Sequence, residues 1–301
     1  MRKSLRALAL TLVCLFSVFC LPTMAGQKPA EDAVLIVAFG TSVKKARASY
    51  ANVEQQVKAA FPGREVRWAW TAHSLLRTAS PGNAMPTVQE ALAKLAAEGT
   101  KNVSILSLHV IPGAEYNDLL RTARAQEGLP KGLRQVRLVP PLLHDTDSLR
   151  EVARLLMQSL PKERKNDEAA LFVGHGTHHA AGVFYPALQY YLNTLDKNVF
   201  VGTIEGDLDF DAVLKQIRTR GARKVWLAPL MTVAGDHASN DLFGADPESW
   251  RQRFLKNGIQ VQGIAKGLGE YPVFVNRWVE ELKQLGKMGK PETAMSTTRV
   301  R

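Results

Sequence analysis

From Asp32 onward the chain alternates short apolar runs with longer stretches of helical period, and few folds accommodate that alternation. Ala33 to Phe39 (AVLIVAF) is too short and too uniformly apolar for anything but a strand buried on both faces. Val43 to Phe61 follows with Val53, Val57 and Phe61 on one 3.6-period face, and Pro62-Gly63 ends it. The pattern recurs. Strands are expected over Glu65–Thr71, Asn102–Val110 and Leu133–Leu143, the last interrupted by Pro140-Pro141. Helices are expected over Thr87–Glu98, Glu115–Gln126 and Asp147–Ser159, with Asp145 or Asp147 as a cap and Ser80–Asn83 as a loop.

The polar stretch Pro161–Glu168 (PKERKNDE) reads as a linker, after which the pattern starts again. Strands are expected at Leu171–Val173, Val199–Ile204, Lys224–Leu230 and Gln260–Ile264. Helices are expected at Val183–Leu195, Asp209–Arg220, Pro247–Lys256 and Tyr271–Leu285. Strands that alternate with helices imply parallel sheets covered on both faces. The fold class is therefore α/β, with two doubly wound parallel-sheet domains, residues 32–160 and 169–285, facing a cleft. Phe39-Gly40-Thr41-Ser42 and Val173-Gly174-His175-Gly176-Thr177 end the first strand of each half alike, which reads as an internal repeat. Residues 286–301 lack periodicity and read as a disordered tail.

Residues 1–25 read as a secretory signal peptide. Arg2, Lys3 and Arg6 form a basic start, Ala7 to Phe19 are almost wholly apolar, and Thr23-Met24-Ala25 offers small residues for cleavage. The apolar run is short for the ~20 residues of a spanning helix, so the expectation is a periplasmic protein with no stable membrane anchor after cleavage. Cys14 and Cys20 both lie in this segment. The cleaved chain then has neither disulfide nor thiolate, and any metal site must be built from His, Asp and Glu. The formal charge is +11, of which Arg2, Lys3 and Arg6 supply three, leaving +8. The remaining basic residues are scattered without interleaved aromatics, which argues against a nucleic-acid surface. A positive field would instead favour a polycarboxylate substrate.

Ligands of open α/β sheets bind beyond the carboxyl ends of the strands. In the second half three successive strand ends carry His175, then Glu205, then His237 in the run Met231-Thr232-Val233-Ala234-Gly235-Asp236-His237. A strand-end histidine alone is more often a hydrogen-bonded loop residue than a ligand, and Glu205 alone reads as a residue at the mouth of the cleft. Together, two imidazoles and a carboxylate suit a borderline divalent ion such as Co²⁺, Fe²⁺, Ni²⁺ or Zn²⁺, with positions left open for reaction. His178 and His179 read as entry-path ligands or as a solvated helix start, and His109 as a cleft or a core histidine. Gly206 to Asp211 superficially resembles a calcium loop but lacks its Gly and Glu, so Asp209 reads as a helix cap. Phe184, Tyr185 and Leu230 are candidates to hold a flat ring, against core packing.

LFVGHGTHH, VGTIEG and WLAPLMTVAGDHASND, with LIVAFGTS and LSLHVIPGAEY in the first half, resemble the anaerobic (class II) cobalt chelatases of the CbiK type, relatives of ferrochelatase. The resemblance covers Asp32 to about Leu285. It implies a two-domain chelatase-like fold and a lyase that inserts Co²⁺, or Fe²⁺, into sirohydrochlorin, a ring carrying eight carboxylates. Its metal-binding set falls on His175, Glu205 and His237 without substitution. It also implies a place in cobalamin or sirohaem biosynthesis; a homo-oligomer is expected on general grounds. An export signal sits oddly with cytoplasmic cobalamin synthesis. The competing reading is a periplasmic metal or haem binding and transport protein without turnover, an exposed histidine serving as axial ligand.

Overall fold

The computed structural model describes residues 31–287, except 42, 44–45 and 73–84. The expected leader, the Ser80–Asn83 loop and the tail from residue 288 lie outside the described residues. Two four-stranded, wholly parallel sheets form the frame. The first holds β1 (Asp32–Ala38), β2 (Glu65–Trp70), β3 (Asn102–Ser107) and β4 (Gln135–Leu138) in the order β2-β1-β3-β4. The second holds β5 (Ala169–Gly176), β6 (Val199–Glu205), β7 (Lys224–Pro229) and β8 (Gln260–Gly263) in the equivalent order β6-β5-β7-β8. The connecting helices are α1 (Arg47–Ala60), α2 (Val88–Ala97), α3 (Ala114–Gln126), α4 (Thr146–Ser159), α5 (Phe184–Leu195), α6 (Phe210–Thr219), α7 (Trp250–Lys256) and α8 (Pro272–Lys287). None of the described helices is long and apolar enough to cross a membrane.

The inner strands β1 and β5 are covered on both faces, which is why they are apolar along their length, whereas the edge strands β2, β4 and β8 carry polar residues. Along β1, Ala33, Leu35 and Val37 face an outer core beneath α2 and α3. Val34, Ile36 and Ala38, alternating with them, face a core shared by the two halves. β5 does the same, with Leu171 and Val173 outward and Ala170 and Phe172 inward. Helix starts follow their caps: Thr87 forms a reciprocal capping box with Glu90, Asp145 with Ser148, and the Asp209 side chain accepts from Ala212 N at 2.9 Å.

Two expectations change. Helix α8, assigned by sequence to the second half, packs on α1, β3 and α4 of the first. Phe274, Trp278 and Leu282 enter the shared core, and Arg137 Nη1 donates to Leu285 O at 2.9 Å. Buried Arg277 pairs with Glu151 at 2.9 Å and with Glu281 at 2.7 Å. An amphipathic pattern shows that a helix has an apolar face, not which sheet receives it. Secondly, residues 161–168 are tied down by specific bonds. Half-buried Arg164 pairs with Asp196 at 2.8 Å. Glu168 accepts from Trp226 Nε1 at 2.6 Å, and from Lys165 N and Lys224 Nζ, each at 3.1 Å.

The Trp226 hydrogen bond foremost, with those from Lys165 and Lys224, holds the Glu168 carboxyl at about 2, far below its ordinary value. A carboxylate whose folded pKa is depressed contributes stability that is full above its unfolded pKa, about 4.3, and that is lost as pH falls through the folded value. Glu168→Gln is therefore expected to flatten the fall of melting temperature from about pH 4.5 to about pH 2. Parallel melting curves of variant and wild type across that window would contradict the assignment.

Candidate metal and macrocycle site

The strand order reverses direction between β5 and β7, and a ligand crevice opens beyond the carboxyl ends at such a switch point. His175 stands near the end of β5 and His237 follows β7, so the two strands flanking the switch point each deliver an imidazole. Their Nε2 atoms lie 3.2 Å apart, with the rings at 85°. The far nitrogens decide what faces what. His237 Nδ1 is 2.8 Å from the Asp241 carboxylate, and His175 Nδ1 is 3.2 Å from Gly176 O. Carboxylates and carbonyls only accept, so each neutral ring carries its proton on Nδ1 and presents a lone pair at Nε2. Two lone pairs at that separation repel unless a cation lies between them. Two nitrogens each about 2.0–2.1 Å from one ion, at angles of roughly 90–110°, are ~2.9–3.4 Å apart. The observed spacing therefore fits two vertices of one coordination sphere.

Close backbone approaches hold this geometry. Gly176 pairs with Glu205 across β5 and β6, at φ 84°, and a Cβ there would fall on the Glu205 carbonyl. Gly174 is covered by the Tyr185 ring, which leaves no room for a side chain. The loop from β7 to His237 is bound to both halves. Leu230 N donates to Val173 O at 2.7 Å, and Thr232 Oγ1 donates to Leu108 O of the first half at 2.6 Å. Leu268 N and Gly269 N donate to Met231 O and Thr232 O, and Asn52 of α1 donates to Gly269 O. His237 opens directly into a single π-helical turn, Ala238–Leu242, which carries Asp241 back to its ring.

Glu205 ends β6 on the same cleft but is exposed, and its side chain has no hydrogen bond or ion pair to another described residue. Among the described residues no three His, Asp or Glu side chains are gathered closely enough to hold an ion. The structure thus brings the two histidines of the expected three-ligand set together and leaves the Glu205 carboxylate at the rim of the same cleft. Glu205 lies past the buried part of its strand, where packing does not fix its rotamer.

The cleft has a volume of about 590 Å³, within the ~300–1,000 Å³ of small-molecule sites. Both halves line it. Phe39, Leu108, Val110, Ile111, Leu230 and Val233 make it largely apolar. Its charged groups among the described residues are Glu115, Glu205 and Asp236; no Lys or Arg lines it there. The basic surplus of the chain therefore has no described place at this wall, whereas the acidic groups favour an incoming cation. His109 lines the cleft from the first half, held by Ser107 Oγ at 2.9 Å and Thr71 Oγ1 at 3.3 Å, and burial pushes its pKa down to about 4. It is a neutral imidazole at physiological pH.

The remaining sequence candidates separate. His179 accepts from Ala181 N at 3.1 Å and caps the turn Ala180–Val183, in line with a helix start. His178 makes no contact with the clamp. Of the ring-holding candidates, Tyr185 and Leu230 are almost wholly buried and Phe184 packs against the shared core. Asp241 was missed, although its spacing of four residues from His237 is a readable signal once a helical turn is expected there. Asp241→Asn removes the carboxylate that fixes the His237 ring. It is expected to weaken Co²⁺ binding by about 10–100-fold, measured by calorimetry. Unchanged affinity would contradict that role.

The family described as Cobalt chelatase (CbiK) matches residues 32–286. The sirohydrochlorin cobaltochelatase CbiKC of Nitratidesulfovibrio vulgaris is 36% identical over 253 residues, covering 84% of this chain and 89% of the relative. The sirohydrochlorin cobaltochelatase of Salmonella typhimurium is 33% identical over 267 residues, covering 88% of this chain and all of the relative. Among solved structures, the sirohydrochlorin chelatase SirB of Bacillus subtilis subspecies spizizenii in complex with cobalt superposes with a TM-score of 0.57 at 13% identity, over 86% of this chain and 96% of that one. CbiX, described as the terminal enzyme of sirohaem biosynthesis in denitrifying bacteria, gives 0.52 at 17% identity, over 84% and 98%. At those identities the structures establish the fold alone, and the family rests on the sequence matches. With a family match across both halves and two relatives above 30% identity over most of their length, this chain belongs to the CbiK family of cobalt chelatases.

Proposed function

We propose that the protein is a sirohydrochlorin cobaltochelatase, a lyase that inserts Co²⁺ into the tetrapyrrole, and that the His175–His237 clamp carries the reaction. The supporting observation is the pair of opposed Nε2 atoms, 3.2 Å apart, at the wall of a largely apolar cleft in a chain of this family. Co²⁺ enters as substrate. Two imidazoles hold it on one side and leave the remaining positions to water, to Glu205 and then to the ring nitrogens. Insertion exchanges one divalent ion for two pyrrole N–H protons, so the charge at the ring centre is unchanged. Each proton needs an acceptor near neutral pH, and imidazole is the side chain suited to that. His175 accepts one proton at Nε2 as the metal passes to the ring; His237, its ring fixed by Asp241, holds the ion until transfer. Glu205, with no fixed partner among the described residues, is free to turn toward the ring and accept the second.

The finer readings extend the same proposal. Fe²⁺ is an alternative substrate metal, because two imidazoles and oxygen donors do not discriminate strongly between it and Co²⁺. The basic start, apolar run and small-residue exit of residues 1–25 support export, cleavage after Ala25 and a periplasmic location. The active form is an assembly of identical subunits. The haem-binding reading has no observation of its own in the described cleft.

Purified protein mixed with Co²⁺ and sirohydrochlorin is expected to shift the visible spectrum of the ring, with Fe²⁺ also accepted. His175→Ala and His237→Ala are each expected to lower the rate by at least about 100-fold. Full activity in both variants contradicts the mechanism. A Soret band on the isolated protein without insertion would favour the transport reading. Mass spectrometry of the chain from a periplasmic fraction is expected to show Gly26 as the first residue; an intact leader in the cytoplasm would contradict export.

A further inference from the structure

The two sheets share more than strand order. Val37 of β1 pairs with Ala69 of β2 and Ser107 of β3, and Val173 of β5 pairs with Gly202 of β6 and Pro229 of β7. Just beyond, Leu108 N donates to Val37 O at 2.9 Å, and Leu230 N donates to Val173 O at 2.7 Å. Three residues past each valine stands a glycine in the left-handed region, Gly40 at φ 115° and Gly176 at φ 84°. A buried tyrosine accompanies each loop, Tyr50 in the first half and Tyr185, its ring against Gly174, in the second. The strand-end loops are therefore one device built twice. In this register Phe39-Gly40-Thr41 corresponds to His175-Gly176-Thr177. The position that gives the second half its metal-facing imidazole gives the first half a phenyl ring.

That ring is conspicuous in its own right. Phe39 is 47% exposed although it lines a cleft, while the residues before it on β1 are buried. Its backbone is pinned, since Ala72 N donates to Phe39 O at 3.0 Å. The side chain is thus held at an open wall by a rigid strand end. An exposed aromatic face in a cleft is suited to a flat apolar partner, which it meets at little entropic cost because only two side-chain torsions need ordering.

We propose that Phe39 is the stacking contact for the tetrapyrrole, the two halves having divided one ancestral strand-end position into a metal contact, His175, and a ring contact, Phe39. This deepens the chelatase reading and rests on it. The macrocycle lies with its apolar body against Phe39 and its centre toward the His175–His237 clamp. Phe39 acts on the affinity and placement of the ring and not on the binding of the metal alone.

Binding of metal-free sirohydrochlorin, followed by its absorbance, and binding of Co²⁺ alone, followed by calorimetry, separate these roles. Phe39→Ala is expected to raise the dissociation constant for the ring about tenfold while that for Co²⁺ stays within twofold. Phe39→Trp, which keeps a flat face, is expected to retain ring binding. Equal ring affinity in Phe39→Ala and wild type overturns the proposal, as does a parallel loss of Co²⁺ affinity, which would mark a structural role. Failure of the wild type to bind or metallate sirohydrochlorin would instead overturn the chelatase reading.

Discussion

Two imidazole nitrogens 3.2 Å apart, on rings set at 85°, have the spacing of two vertices of one coordination sphere. Each ring is held from behind, by Asp241 in one case and by the Gly176 carbonyl in the other. The surroundings keep both rings turned to the cleft. Gly176 is clamped against the Glu205 backbone, and the loop to His237 is bonded to Val173, to Leu108 and to the 3-10 turn at Leu268-Gly269. A preorganised site with open positions suits a metal that must be released to another ligand.

The bonding of that loop makes the cleft a joint product of the two halves. Thr232 reaches the first sheet, Asn52 of α1 reaches Gly269, and α8 returns to pack on α1 and β3. The shared core between the sheets carries residues from every one of these elements. Placing the metal clamp on one wall and the apolar residues at the end of β1 and β3 on the other requires the walls to keep their spacing, and these connections supply it.

Much of this is legible in the amino-acid sequence, for identifiable reasons. The strands are buried on both faces, so their apolar runs stand out against the helical pattern; the positions of His175 and His237 at strand ends followed from that alone. What failed to appear depends on tertiary choices that local patterns do not encode. The apolar face of α8 is visible, but its receiving sheet is not. The three strand ends suggested a gathered set of two imidazoles and a carboxylate, whereas Glu205 projects beyond the buried part of β6 and is held by no neighbour among the described residues. Tyr185 and Leu230 line the cleft but are almost wholly buried, Tyr185 with its ring against Gly174. Phe39 looked like the end of a core strand and is the aromatic that remains open. The paired motifs after β1 and β5 were visible as glycines; the tyrosines that follow each at a similar distance, Tyr50 and Tyr185, gain their meaning only once the fold shows both buried.

The central claim is that the clamp is a metal-binding pair. X-ray absorption on the Co²⁺-loaded protein tests it most directly. The account requires the scattering signature of two imidazole rings, with nitrogens about 2.0–2.1 Å from the metal and the rest of the sphere filled by oxygen. An all-oxygen sphere without imidazole scattering would contradict it.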